Sequence, residues 1–261
     1  MNILMLTDFS TNARHAHQYA LELYKDHDVN FFLLHIKKPC LNSQKCSGKC
    51  KLGLHQKLMS DAKDLVKINQ QAPPKAVLVE GSFIEEIRAA VIKHNIDILV
   101  IGAKGKSAKN QNAIGSYTQA IATKVKCPAL IVFENTSVVK PTSALFPVNY
   151  TDALYPACLN KLKNLPVWKG LSLKILELKP LTTAEHLVLS SKQILENTLK
   201  KQSFEFINLA KQEDSVTKEA TNFDLLVFAA KNLSVGNKVF SELKQNKEAL
   251  HFKTPLFILH A

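Results

Sequence analysis

The sequence predicts an α/β protein made of two tandem five-stranded parallel-sheet sandwich domains, each with strand order 3-2-1-4-5. Three observations predict it. Short, continuously apolar runs alternate with segments of helical period, the pattern of a parallel sheet covered by helices on both faces. The pattern begins again near the middle of a chain of 261 residues, a length that suits two units. Composition is that of a globular chain, with 46% hydrophobic and 21% charged residues.

The first unit is read in order. Residues 2–6, NILML, form a short apolar strand, and a helical pattern runs from about Asn12 to Tyr24. The stretch 29–36, VNFFLLHI, is apolar throughout and makes a buried strand. A polar loop bearing cysteines follows, then a helix from about Leu54 to Ile68. Residues 75–80, KAVLVE, are a strand; Gly81 and Ser82 then open a helix to His94, with Ser82 at the N-cap and Glu85 and Glu86 in the first turn. DILVIG, 97–102, is a strand, a helix runs from Ser116 to about Val125, and PALIVF, 128–133, closes the unit.

The second unit repeats the first. SALFPVNYT, 143–151, parallels residues 2–10; LSLKILELKP, 171–180, parallels 31–39; DLLVFAAKN, 224–232, parallels 97–105; and TPLFILHA, 254–261, parallels 127–134. The expected domains are 1–137 and 143–261, joined near NTSVVKPT, 135–142.

Charge limits the function classes. The net charge is +12, nearly all from lysine, since the arginines are Arg14 and Arg88. The lysines are spread over both units with no basic arm, and arginine, the usual reader of guanine, is scarce. The expected partners therefore exclude nucleic acid. No apolar run approaches the roughly 18 residues of a membrane span, and Asp8 interrupts the apolar start too early for a signal peptide. The expectation is a cytoplasmic protein with no membrane partner.

The stretch GAKGKSAKNQNAIGS, 102–116, carries the chemistry. Glycine is used where a chain bends or lies against a ligand. Aligned without gaps, Gly102, Gly105, Gly115 and Ser116 become Ala229, Asn232, Glu242 and Leu243 in the second unit, and Asp8 becomes Asn149. The fold signals survive there and the glycines do not, which favours a ligand over a bend. In an open doubly wound sheet, ligands bind beyond the strand ends where strand order reverses. With order 3-2-1-4-5 that point lies between the ends of strands one and four, at Thr7–Asp8 and at Gly102. Gly115-Ser116 opens a helix whose free N–H groups attract an anion, and Lys104, Lys106 and Lys109 add charge. Asp8 suits a ribose hydroxyl or a bridging metal. The spacing matches neither the P-loop nor the G-x-G-x-x-G fingerprint.

These residues resemble a known family. G-x-x-G, nine residues and G-S, placed after DILVIGAKG, look like the ATP-binding motif of the universal stress protein family. LTDFS at 6–10 is similar to that family's P-T-D-F-S, with Leu6 in place of proline, and LLHI at 33–36 and CPALIV at 127–132 resemble family landmarks. The resemblance implies ATP contacts at Thr7, Asp8, Ile36, Gly102, Lys104, Gly105, Gly115, Ser116 and Thr118, with the backbone of Ile36 holding adenine. It implies ATP, with Mg as an accompanying ion, as cofactor, a stress-response role, and pairing through strand five, either between the two units of one chain or in a homodimer. No paired carboxylates and no arginine near the loop point to hydrolysis, so the expectation is a nucleotide-binding regulatory protein without catalytic residues and with at most slow ATP hydrolysis.

The cysteines leave a second reading open. Cys40, Cys46, Cys50 and His55 compose a zinc ligand set by type, although their spacing matches no usual knuckle. The alternatives are free thiols in a mobile lysine-rich loop, 39–53, or a metal- or redox-responsive sensor beside an idle nucleotide site. Cys127 and Cys158 read as structural, and His15 and His17 diverge on a helix and take no metal role.

Overall fold

The computed structural model describes residues 1–40, 49–69, 72–105, 113–150, 156–178, 185–208, 215–231, 233–245 and 251–260. The first half runs β1 (Asn2–Leu6), α1 (Thr11–Leu23), β2 (Asn30–Lys37), α2 (Lys49–Asn69), β3 (Lys75–Glu80), α3 (Phe83–Lys93), β4 (Ile98–Gly102), α4 (Ser116–Lys124) and β5 (Ala129–Val132). The second runs β6 (Ser143–Asn149), α5 (Pro156–Leu159), two short 3-10 turns, β7 (Ser172–Leu178), α6 (Glu185–Leu199), β8 (Phe204–Asn208), α7 (Val216–Ala220), β9 (Leu225–Ala229), α8 (Leu233–Gln245) and β10 (Leu256–Leu259).

The ten strands of the described residues join one sheet in the order β3-β2-β1-β4-β5-β10-β9-β6-β7-β8. Each half therefore has the order 3-2-1-4-5 expected from the sequence. Pairing is parallel within each half, and β5 meets β10 antiparallel, with Leu130 opposite Phe257. The central strands β4, β5, β9 and β10 read as unbroken apolar runs because both faces are covered, whereas β3 and β8 at the sheet edges are only partly buried and carry charged residues. Along β1, Ile3 and Met5 enter one apolar layer, beside α1, while Leu4 and Leu6 enter the other, beside α3 and α4. Each such fully buried side chain contributes about 1.5–3 kcal/mol relative to exposure.

Three local features differ from the sequence reading. Helix α2 starts at Lys49, so Cys50 and Gly53 are helical rather than part of a loop. Its first residues are mostly good helix formers, and a Cβ at Gly53 would meet nothing within 4 Å. Ser82 occupies the N-cap position of α3 in extended conformation, but its side chain makes no capping bond. The third difference concerns the second half. The ungapped alignment puts Glu242 and Leu243 at a helix start; in fact α8 begins at Leu233 and both residues lie near its end. The Glu242 carboxylate accepts bonds from Ser215 Oγ at 2.7 Å and from Thr217 N at 2.8 Å, so it caps α7. The equal spacing of β4–β5 and β9–β10 hides this change: α4 starts at Ser116, well after β4 ends at Gly102, and is short, whereas α8 starts at Leu233, close after β9 ends at Ala229, and is longer.

Candidate functional site

Strand order reverses between β1 and β4, whose connections leave in opposite directions, and a cleft opens at their carboxyl ends. A cavity of about 480 Å³ lies there. All nine residues named from the sequence, Thr7, Asp8, Ile36, Gly102, Lys104, Gly105, Gly115, Ser116 and Thr118, line it. Lys106 and Lys109 lie outside the described residues.

The β1–α1 turn is held from several sides. Thr7 N donates to Leu34 O at 2.9 Å, Thr7 Oγ1 accepts from Phe9 N at 3.0 Å, and Asp8 Oδ1 accepts from Ser10 N at 3.0 Å. Ser10 then caps α1 by accepting from Ala13 N at 3.1 Å. Phe9 takes a left-handed φ of 61°, rare for a bulky side chain. Tertiary contacts hold it there: its ring lies 4.4 Å from that of His35, with Lys57 Nζ 4.5 Å above its centroid. The strained turn presents Asp8 to the cleft. Two histidines fix the carbonyls behind it. His35 Nδ1 donates to Thr7 O at 2.8 Å and His17 Nε2 donates to Leu6 O at 2.9 Å. Burial lowers the His17 pKa to about 4, so the ring is neutral.

Each glycine has a different reason. A Cβ on Gly102 would lie 2.8 Å from Asn12 Oδ1 and 3.0 Å from the Asn12 carbonyl carbon. Gly102 is therefore required by the close approach of α1. Asn12, buried, accepts from Lys104 N at 2.8 Å and donates to Val132 O at 3.2 Å, tying the start of the glycine loop to α1 and β5. At Gly105 a Cβ would stand 2.6 Å from Asp8 Oδ2. Gly115 has no such demand. Its φ of −79° and ψ of 152° suit any residue, and its nearest Cβ neighbour would be Ala103 O at 3.5 Å. The protein has room for a side chain there; what a side chain would enter is the cleft.

Gly115 N-caps α4 and brings no side chain to its free N–H groups, and no acidic residue occupies the first turn. The helix end therefore keeps its full positive potential toward the cavity. Lys38 and Lys104 line the same cavity, and Asp8 is the one carboxylate among its described lining residues. Thr118 donates its hydroxyl to Gly102 O at 3.1 Å, so it also ties α4 to β4. The other end of the cavity is apolar, walled by Leu6, Leu34, Ile36 and Ile101, with Phe83 and Tyr117 in edge-on contact at 4.7 Å.

The backbone of Ile36 faces this apolar end. Leu34 C=O turns toward β1, accepting from Thr7 N, and Lys37 C=O turns toward β3, accepting from Gly81 N. By strand alternation, Ile36 turns its N–H and C=O toward the β1 side, where β1 has already ended at Leu6.

Among the cysteines, Cys40 Sγ and Cys50 Sγ lie 4.0 Å apart. Lys37 Nζ is 3.2 Å from Cys40 Sγ and 3.1 Å from Glu80 Oε1, and those two partners raise its pKa above the usual lysine value. Cys46 lies outside the described residues, and among the described residues no three His, Cys, Asp or Glu side chains gather as a metal set. Burial pushes the Cys127 thiol up to about 12 and that of Cys158 up to about 11, which keeps both inert.

Asn12, Leu6, Leu34, Lys38, Ile101, Phe83 and Tyr117 were not singled out from the sequence as lining or supporting residues. Asn12 left a signal, a polar residue within the inward stripe of α1. The aromatic pair left none, since only the fold brings α3 and α4 side by side.

Comparisons with known proteins complete the description. The family model described as "Universal stress protein family" matches residues 1–132. A universal stress protein of Thermus aquaticus is 25% identical over 135 residues, covering 50% of this chain and 96% of its own. A crystal structure of a universal stress protein from Archaeoglobus fulgidus superposes with a TM-score of 0.61 at 13% identity, over 98% of this chain and 95% of that one. A functionally unknown protein from Pseudomonas aeruginosa gives a TM-score of 0.53 at 11% identity, over 99% and 92%. At these identities the two structures speak for the fold alone. Among the described residues, no helix is long and apolar enough to cross a membrane.

Proposed function

We propose that this chain, which belongs to the universal stress protein family, binds ATP in the cleft of its first unit and acts through occupancy of that site. The observation that carries the proposal is the opening of α4: an uncapped, acid-free helix start at a glycine that packing does not require, facing a cavity whose far end is apolar. Phosphates suit the first end, where free N–H groups and Lys104 supply donors and charge. A flat base suits the other, where Leu34, Ile36 and Ile101 are apolar and Ile36 offers a donor and an acceptor from its backbone. That pair matches the ring nitrogen and amino group of adenine. Asp8 is placed for a ribose hydroxyl, and as a lone carboxylate it also fits Mg held mainly by phosphate oxygens. The cavity volume, about 480 Å³, falls in the usual range for small ligands.

The two units, 1–137 and 143–261, divide the work. The second has no long glycine loop after β9, because α8 begins at Leu233. We assign one nucleotide to each chain, in the first unit. The β5–β10 pairing uses the edge through which family members pair, so the tandem chain takes up that edge within itself. Purified protein, denatured and read for adenine absorbance, then titrated with ATP by calorimetry, tests the reading. One site per chain is expected; two equivalent sites, or none, would overturn it.

A second reading is favoured by the Cys40–Cys50 proximity of 4.0 Å. With Cys46 and His55 this region would hold zinc, or respond to oxidants without it, in a stress-responsive protein whose nucleotide site is idle. Elemental analysis of protein purified without chelator separates the two. About one zinc per chain, lost in Cys46→Ser, would support the metal reading, and bound adenine without zinc supports the first.

A further inference from the structure

We infer that the second unit, rather than holding a nucleotide of its own, positions the phosphate end of the first unit's cleft, with His260 and the last turn of α8 as the positioning elements. The inference rests on the nucleotide reading above and extends it to the regulation of that site.

The limb of the glycine loop that leads into α4 is fastened to the other half of the molecule. Ala113 N donates to Leu243 O at 3.1 Å. Leu243 lies near the described end of α8, Leu233–Gln245. The side chains of Ala113 and Ile114 are buried in the same apolar layer as Val239, Phe240 and Leu243. Two residues later, Gly115 N donates to Ala103 O at 2.8 Å, closing the loop onto the end of β4. The far end of α4 is held in the same manner. His260, directly after β10, is buried, and its Nε2 donates to Ala122 O at 3.1 Å. Ala122 belongs to the last turn of α4, where carbonyls lack an intrahelical partner. The helix whose start faces the cleft is thus gripped at both ends by groups of the second unit.

This arrangement gives the second half a use that its lack of a glycine loop does not remove. Phosphate binding at a helix start depends on where three free N–H groups point, and a fixed helix presents them without a reordering cost on binding. The base end of the cleft is built mainly on β1, β2 and β4, with Tyr117 the one α4 side chain in its wall, and depends less on these bonds. Loss of either should therefore weaken ATP more than adenosine.

The test uses the full chain with His260→Phe, which keeps bulk and removes the donor, His260→Gln, which restores an N–H donor, and Ala113→Pro, which removes the amide that meets Leu243. Calorimetric titration with ATP and with adenosine is paired with amide exchange of the peptide 113–124 in nucleotide-free protein. The expected result for His260→Phe and Ala113→Pro is faster exchange and an ATP affinity lower by about three- to tenfold, the usual worth of one hydrogen bond. Adenosine affinity should hold, and His260→Gln should recover most of the loss. Unchanged exchange in both variants, or an equal loss for ATP and adenosine, would overturn the inference. A wild-type chain that binds neither ligand would sink the nucleotide reading instead, and the exchange data would still judge whether the second unit holds α4.

Discussion

Replacing Gly115 with glutamate separates binding from folding. The backbone there is extended, with φ −79° and ψ 152°, and a Cβ would meet nothing closer than Ala103 O at 3.5 Å, then Thr118 Oγ1 at 3.8 Å. The side chain is accepted without strain. A carboxylate at the start of α4 also interacts favourably with the helix dipole, by about 0.3–1 kcal/mol, so the nucleotide-free protein should be as stable as wild type or slightly more so. The same carboxylate would point into the space assigned to phosphate. At a separation of about 5 Å and an effective dielectric near 20, each unit of phosphate charge repels it by about 3 kcal/mol. With about 1.4 kcal/mol per factor of ten, ATP affinity should fall by more than about a hundredfold. Calorimetric titration gives the affinity and urea unfolding gives the stability. Normal ATP binding by a folded Gly115→Glu protein would refute the placement of the phosphates. Loss of binding together with loss of fold would refute the claim that packing leaves this position open.

Three further outcomes follow from the geometry. Gly102→Ala should destabilise the fold by about 1–3 kcal/mol, because its Cβ would press on Asn12 at 2.8–3.0 Å; an unchanged urea midpoint would contradict this account of that glycine. Asn12→Ala should cost about 2–4 kcal/mol by leaving two buried partners, Lys104 N and Val132 O, unbonded, and wild-type stability would show that the amide is not the tie described. The third concerns acid. His17 is neutral in the fold with a pKa lowered from 6.5 to about 4, so the unfolded chain binds a proton more readily between those values. Its contribution is fully present above pH 6.5 and falls by about 3 kcal/mol as pH drops toward 4. Unfolding titrations of wild type and His17→Gln should differ in slope across that window, and parallel curves would refute the assignment.

The sheet was legible because its strands obey a simple rule. A strand covered on both faces must be apolar where it is buried, and β4, β5 and the cores of β1 and β2 read that way without reference to anything else. The cleft was legible because the order of strands and helices fixes where strand ends meet, which places Thr7, Asp8, Gly102 and Gly115 together once strand order is known. The reasons behind individual glycines were not legible. Gly102 and Gly115 look alike in sequence, yet the first answers to Asn12 on a packed helix and the second to no neighbour. That distinction exists only as distances between distant segments. The second half was misread for a related reason. Strand spacing is the same in the two halves, so an alignment without gaps fits both strands and passes over the helix between them, and it puts Glu242 at a helix start when Glu242 caps a different helix. The early start of α2 was missed because Cys50 and Gly53 look like loop residues, whereas an exposed helix turn tolerates one glycine at about 1 kcal/mol.

On the proposed reading, α4 and β2 embrace the two ends of one adenine nucleotide. A crystal structure of the full chain grown with a non-hydrolysable ATP analogue tests it most directly. One nucleotide per chain is expected, with phosphates against the backbone of Gly115 and Ser116 and the base bonded to Ile36 N–H and C=O. A nucleotide bound in the second unit, or lying in the first with its base at Gly115 and its phosphates at Ile36, would contradict it.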